Sequence, residues 1–197
     1  MTNSIEHIEQ HLNVVLALKN ISPDIERGFH LIKSCLSKGG KILVCGNGGS
    51  AADAQHFVAE LVGRFETNRD GLAAIALTTD TSILTAVAND FGYDQIFSRQ
   101  VQAIGKPEDC LVAISTSGNS SNVFKAVTQA SSMGMKSIGL LGNTGGQLLQ
   151  ACSHSIVIPS NITARIQECH ILVIHILCSK LDEELSNATK CEANRGT

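Results

Sequence analysis

The chain has no tryptophan, one tyrosine and three prolines, and aromatic residues make up only 4% of it. Its core therefore cannot rest on large rings. It must be built from the Ala, Val, Ile and Leu that dominate the 43% hydrophobic fraction, a composition that suits a sheet covered by helices. There is no run of lysine or arginine, and a formal charge of −3 supplies no field for a polyanion, so no nucleic-acid partner is expected. No uninterrupted apolar run approaches the roughly 18 residues of a membrane span. Met1 to Gln10 is polar and lacks the basic start and apolar stretch of a leader, so the expectation is a cytoplasmic chain with no membrane partner. The seven cysteines are odd in number, include no CxxC and mostly sit in apolar runs, where a thiol packs as a small hydrophobe. They read as reduced.

At 197 residues the chain is expected to form one domain, 1–197, with N-terminal helices over 1–38 and an α/β core with its C-terminal helix over 41–185. From Ser4 to Lys38, Ile5, Ile8, Leu12, Val15 and Leu16, then Ile25, Phe29, Ile32 and Leu36, recur at helical intervals. Ser22-Pro23 divides this stretch into two helices, with Ser22 as the expected cap and Pro23 as the first helical residue. The apolar stripe of the first helix needs a partner, which another subunit or its own domain could supply. Five short apolar runs follow: Lys41 to Cys45, Leu72 to Leu77, Cys110 to Ser115, Lys136 to Leu141 and Ser155 to Ile158. Each is followed by a helical segment, the rhythm of parallel strands joined by crossover helices. Thr163 to Leu185 reads as one long final helix, and the polar Ser186 to Thr197 is expected to fray beyond it.

Ligands of open parallel sheets collect where strands exit into helix N-termini. The first exit, Gly46-Asn47-Gly48-Gly49-Ser50, brings backbone amides close to a ligand or forms a tight turn with none. No Gly-Lys-Ser/Thr follows and GxGxxG is not matched, which disfavours a nucleotide. The third exit, Ser115-Thr116-Ser117-Gly118-Asn119-Ser120, sets hydroxyls and amides before the helix that begins near Ser121. That is phosphate-holding chemistry, with a solvated capping loop as the bland alternative.

His56 and Glu60 lie four apart on one helical face, spaced for a shared substrate, a shared metal or simply an ion pair. Gln167, Glu168, His170 and His175 stand in an otherwise apolar helix and need partners, whether in a site, a core or an interface.

Cys45-Gly46-Asn47-Gly48-Gly49-Ser50-Ala51-Ala52-Asp53-Ala54-Gln55-His56-Phe57, with Glu60-Leu61 and Gly63-Arg64-Phe65, closely resembles the signature of the phosphoheptose isomerases. Leu77-Thr78-Thr79-Asp80, Asn89-Asp90-Phe91-Gly92, Phe97-Ser98-Arg99-Gln100, the Ser115 to Ser120 loop and Thr163-Ala164-Arg165-Ile166-Gln167-Glu168 with His170 and His175 are similar to that family in the same order. The resemblance implies an α/β fold of the sugar isomerase (SIS) type: a three-layer α-β-α sandwich with a five-stranded parallel sheet and an extra N-terminal helix. It implies a homotetramer in which the first helix helps assembly. It also implies conversion of sedoheptulose 7-phosphate to D-glycero-D-manno-heptose 7-phosphate, the first step toward the activated heptose of lipopolysaccharide or another bacterial surface polysaccharide.

Carried over residue by residue, the resemblance makes Glu60 and His175 the acid/base pair. Asn47, Gly48, Gly49, Ser50, Glu60, Asn89, Asp90, Ser115, Thr116, Ser117, Ser120 and Gln167 would surround the substrate. His56, Glu60, Gln167 and His175 would hold one zinc ion per subunit. Gln167 and His175 are eight apart, about 12 Å along a straight helix, and cannot easily reach one ion from the same helix. That spacing predicts a site at a subunit interface, with His175 supplied by a neighbouring chain. Two rival readings share the fold: a noncatalytic SIS-domain protein that binds the replication initiator, and an isomerase for another phosphosugar. The first gives no reason to keep His56, Glu60, Gln167 and His175 together, and the second fits the motifs less well.

Overall fold

In the computed structural model the backbone is described for residues 3–193 and the side chains for 3–186. Helix α1 (Ser4–Ala17) and α2 (Ser22–Ser37) are joined by a 3₁₀ turn, Leu18–Ile21. The break falls where the Ser-Pro pair placed it. The cap, however, is Ile21, with Ser22 already helical and Pro23 inside the first turn, where its missing N–H costs no hydrogen bond. Five strands follow: β1 (Ile42–Cys45), β2 (Ala74–Ala76), β3 (Cys110–Ser115), β4 (Lys136–Leu141) and β5 (His154–Val157). They form one parallel sheet in the order β2-β1-β3-β4-β5. Between them run α3 (Gly49–Val62), α4 (Thr81–Phe91), α5 (Ser98–Ile104), α6 (Ser121–Ser132) and the short α7 (Leu148–Ala151), with α8 (Thr163–Ala193) closing the chain. The backbone thus stays helical beyond Leu185 to Ala193 rather than fraying at Ser186, while 194–197 lie outside the described residues.

Strand residues alternate between two cores, as the two-residue period of a sheet buried on both faces requires. Ile42, Val44, Val112, Ile114, Ile138, Leu140 and Ile156 face α2, α3 and α8. Leu43, Cys45, Leu111, Ala113 and Leu141 face Ile96, Phe97, Val101, Val123 and Val127 of the opposite layer. The three-layer sandwich follows directly from this alternation. The six described cysteines are all free thiols. Among the described residues no helix is long and apolar enough to cross a membrane.

Two polar contacts dock α1 on α8. The His11 Nδ1 pairs with Glu168 Oε2 at 2.7 Å, and Arg165 Nη1 donates to the His7 carbonyl at 2.8 Å. Partial burial works against the Glu168 charge, but the bonds from Arg165 and His11 outweigh it and hold the carboxyl below its usual range. The apolar stripe of α1 is left mostly open, with Ile5, Ile8, Leu12 and Leu16 each more than half exposed.

His170 secures α8 to the sheet. Its Nε2 lies 3.1 Å from the Leu141 carbonyl at the end of β4, and Nδ1 is buried without a partner. Desolvation in this apolar setting pushes its pKa from 6.5 down to about 4, against the smaller upward pull of the Leu141 bond. The fold therefore prefers neutral imidazole, whereas the unfolded chain takes up the proton below 6.5. Stability contributed above pH 6.5 is lost as pH falls toward 4, to a limit of about 3 kcal/mol. His170→Gln, which cannot titrate here, should flatten this acid limb in urea denaturation series. An unchanged limb would assign the loss to other groups.

Candidate active site

The site lies at the exits of β1 and β3, where the sheet opens onto α3 and α6. At the β1 exit Asn47 is locked by a reciprocal amide pair: its Nδ2 donates to Asn122 Oδ1 at 2.8 Å, and Asn122 Nδ2 returns a bond to Asn47 Oδ1 at 2.9 Å. The hydroxyl of Tyr93, the only tyrosine, donates to the same Asn47 oxygen at 3.2 Å. Neither Asn122 nor Tyr93 was singled out from sequence, because neither belongs to a loop with ligand-binding composition. Ser50 is buried in the first turn of α3, and Gly48 and Gly49 are exposed at its start. Gly49 makes a close approach to α8, since a Cβ there would lie 2.3 Å from the Gln167 amide nitrogen and would push that side chain aside.

At the β3 exit the Ser115 and Ser120 hydroxyls lie 3.0 Å apart, and Ser115 Oγ accepts the Gly118 N–H at 3.1 Å. Ser120 occupies the cap position of α6, yet its side chain makes no capping bond. It turns inward toward Ser115 instead. The amides of the first turn of α6 thus point toward the loop, where the helix dipole favours an anion. Thr116 is partly buried, Ser117 is exposed, and Asn143 of the β4 exit donates to the Thr116 carbonyl at 2.9 Å. Asn89 and Asp90 are exposed at the end of α4, joined by a 2.8 Å bond from Asn89 Nδ2 to Asp90 Oδ1.

The charged residues gather farther along α3. His56 Nε2 lies 2.9 Å from Glu60 Oε1 and 3.5 Å from His175 Nε2. One ligand atom from each of the three falls within 4.8 Å of the other two. The rings of His56 and His175 meet edge to face at 5.2 Å, and the Phe65 ring covers His175 at 5.4 Å. All of this occurs within one chain. The spacing argument for a neighbour's His175 therefore fails, and for a definite reason: α3 and α8 pack side by side, so Gly49 meets Gln167 at one level and His56 meets His175 about two turns on. The same packing places the Gln167 amide against Gly49.

Two imidazole nitrogens and a carboxylate oxygen are a donor set for zinc. Bonds of about 2.0–2.1 Å in a tetrahedron put ligand atoms about 3.3 Å apart. The observed 2.9 and 3.5 Å separations bracket that edge, so the three residues fit a zinc ion. Asp53, one turn before His56, is a further carboxylate that the sequence pattern did not single out. Its Oδ2 is buried without a partner, and burial raises its pKa against the opposing pull of His56.

The SIS domain family matches residues 6–142. Phosphoheptose isomerase 1 of Campylobacter jejuni is 52% identical over 184 residues, covering 93% of this chain and 99% of the relative. The chain belongs to the phosphoheptose isomerase family. The solved phosphoheptose isomerase of Neisseria gonorrhoeae superposes with a TM-score of 0.85 at 46% identity, over 90% of this chain and 95% of its own. That of Francisella tularensis gives the same TM-score at 40% identity, over 92% and 100%. Such agreement across nearly the full length establishes the five-stranded SIS fold.

Proposed function

We propose that the chain acts as one domain, as a ketose–aldose isomerase converting D-sedoheptulose 7-phosphate to D-glycero-D-manno-heptose 7-phosphate in the bacterial cytoplasm. The product would feed nucleotide-activated heptose for lipopolysaccharide or another surface polysaccharide. The observation that carries this reading is the convergence of Glu60, His56 and His175 in a chain whose β3 exit offers hydroxyls and amides to a phosphate. The name of the Campylobacter jejuni relative supports the substrate class.

Such an isomerisation removes a proton from C1 of the ketose, forms a cis-enediol and returns a proton to C2, while a second proton passes between the two oxygens. Glu60 carries the carbon proton, and His175, covered by Phe65, exchanges protons with the oxygens. Ser115, Thr116, Ser117 and Ser120 hold the phosphate at the α6 N-terminus. Asn47, Gly48, Gly49, Ser50, Asn89, Asp90 and Gln167 line the sugar between the two ends. His56, Glu60 and His175 would hold one zinc ion per subunit, with Gln167 as the fourth ligand. When bound, zinc supplies Lewis-acid polarisation of a substrate oxygen.

The open stripe Ile5, Ile8, Leu12 and Leu16 supports assembly through α1 with further copies of the chain, as a homotetramer that places the sites at subunit interfaces. One preparation tests the whole reading. Purified chain should sediment as a tetramer and turn over sedoheptulose 7-phosphate, losing activity to a chelator and regaining it with zinc. Turnover of a different ketose phosphate in its place would overturn the substrate assignment.

A further inference from the structure

Arg69 and Asp182 form a nearly buried ion pair outside the cluster of His56, Glu60 and His175, with side chains 7% and 2% exposed. Every polar group of this pair has a use. Arg69 Nε donates to Asp182 Oδ1 at 2.6 Å. Its Nη2 donates to the Glu60 carbonyl at 2.8 Å, and its Nη1 to the Leu61 carbonyl at 2.9 Å and the Asp70 carbonyl at 3.1 Å. The second oxygen of Asp182 accepts the backbone N–H groups of Glu66 at 2.9 Å and Thr67 at 2.8 Å. Burial alone would raise the Asp182 carboxyl, but the bonds from Thr67, Arg69 and Glu66 hold it below its usual range.

The placement of these bonds matters more than their number. Glu60 and Leu61 lie in the last turn of α3, whose carbonyls have no helical partners, and a guanidinium there both caps the helix and complements its dipole. Asp182 stands seven residues after His175, two turns on along α8 and therefore on nearly the same face. Glu66 and Thr67 directly follow Phe65, the ring that covers His175. One ion pair thus ties together the backbone of Glu60, the helix that carries His175 and the segment that carries Phe65. A point charge could not do this, since only the planar fork of arginine reaches a carboxylate and three carbonyls together.

We propose that Arg69 and Asp182 are positioning residues that set the separation of Glu60 from His175, and with it the zinc-holding and proton-transfer geometry. The inference rests on the isomerase reading of that site. It is tested in the full chain with Arg69→Met, with Asp182→Asn, and with Lys41→Met as a comparator. The comparator breaks the Lys41–Asp109 pair beside the N-terminal ends of β1 and β3, away from the strand exits. Three readouts are taken: affinity for zinc alone by chelator competition, kcat and KM for sedoheptulose 7-phosphate, and the nuclear Overhauser effect between the Phe65 and His175 rings in histidine-labelled protein.

Folded Arg69→Met should lose about 10- to 100-fold in zinc affinity and in kcat, as loss of a supporting group around metal ligands typically causes, with KM unchanged. It should also lose the ring–ring effect. Lys41→Met should lower thermal stability and change none of the three. Wild-type zinc affinity, kcat and ring–ring effect in folded Arg69→Met would overturn the proposal, as would an equal loss in Lys41→Met. If Arg69→Met does not fold, Asp182→Asn decides the question on the same readouts, because its amide oxygen still accepts from Glu66 and Thr67. A wild-type chain inert toward the sugar and zinc would instead overturn the isomerase reading, and the ring–ring effect would then judge the clamp alone.

Discussion

Replacing Glu60 with glutamine is expected to reduce kcat by about 10²- to 10⁴-fold, the usual worth of a positioned acid/base group, with little change in KM. The amide has nearly the shape of the carboxylate and its oxygen can still meet His56, which lies 2.9 Å from Glu60 Oε1 in the wild type. What it lacks is the ability to take up a proton. A phosphate held at the β3 exit, as proposed, should not register the change. Solvent-deuterium uptake at carbon should fall in parallel with turnover, because the proposed mechanism passes the carbon proton through this group. A Glu60→Gln enzyme with near-normal turnover and deuterium uptake would remove Glu60 from that role. Zinc content must be measured on the same sample, since the substitution also weakens an oxygen donor. A variant that regains full turnover when saturated with zinc would show that Glu60 acts as a ligand and not as the base.

Much of this arrangement is legible in the sequence because it is local. Apolar runs bounded by Gly, Asn and Ser mark β3 and β4 to the residue, and the hydroxyl-rich loop before Ser121 marks the start of α6. The edge strand β2 is shorter than its apolar run, Ala74–Ala76 within Leu72 to Leu77, although Ala73 and Leu77 on either side of it still hydrogen-bond to Ile42 and Val44 of β1. The four-residue spacing of His56 and Glu60 likewise survives as a 2.9 Å contact. What could not be read is how two helices far apart in the chain lie against each other. Eight residues between Gln167 and His175 suggested that a neighbouring chain supplies His175. The answer lies in α3, where Gly49 and His56 are spaced to meet those same two residues in turn. The Asn47–Asn122 amide pair and the Arg69–Asp182 clamp leave no periodic trace for the same reason, joining residues 75 and 113 positions apart. A polar tail also misleads when its residues form helix readily: α8 continues through Glu183 and Glu184 to Ala193.

The second large effect is expected at the phosphate end, from Gly118→Val. Gly118 has a φ of +68°, a conformation that strains a β-branched residue, and a Cβ there would lie 2.0 Å from the Gly145 carbonyl oxygen. The obstacle is backbone, so no side chain can swing aside. The β3 and β4 exit loops must separate, breaking the 3.0 Å bonds from Leu148 N–H to the Gly118 carbonyl and from Gln147 N–H to Asn119 Oδ1. Ser115 then loses the Gly118 N–H that fixes its hydroxyl beside Ser120. Losing one or two hydrogen bonds to a charged phosphate costs about 3 kcal/mol, which is about a 100-fold rise in KM. Zinc affinity should persist, because His56, Glu60 and His175 stand on α3 and α8 and on neither loop. Ser115→Ala provides the milder form of the same test if the valine variant does not fold, removing the hydroxyl while leaving the backbone path open. A KM that stays at the wild-type value in Ser115→Ala would place the phosphate elsewhere, whereas a raised KM with intact zinc binding would separate the site into an anion grip at α6 and a proton-transfer end between α3 and α8.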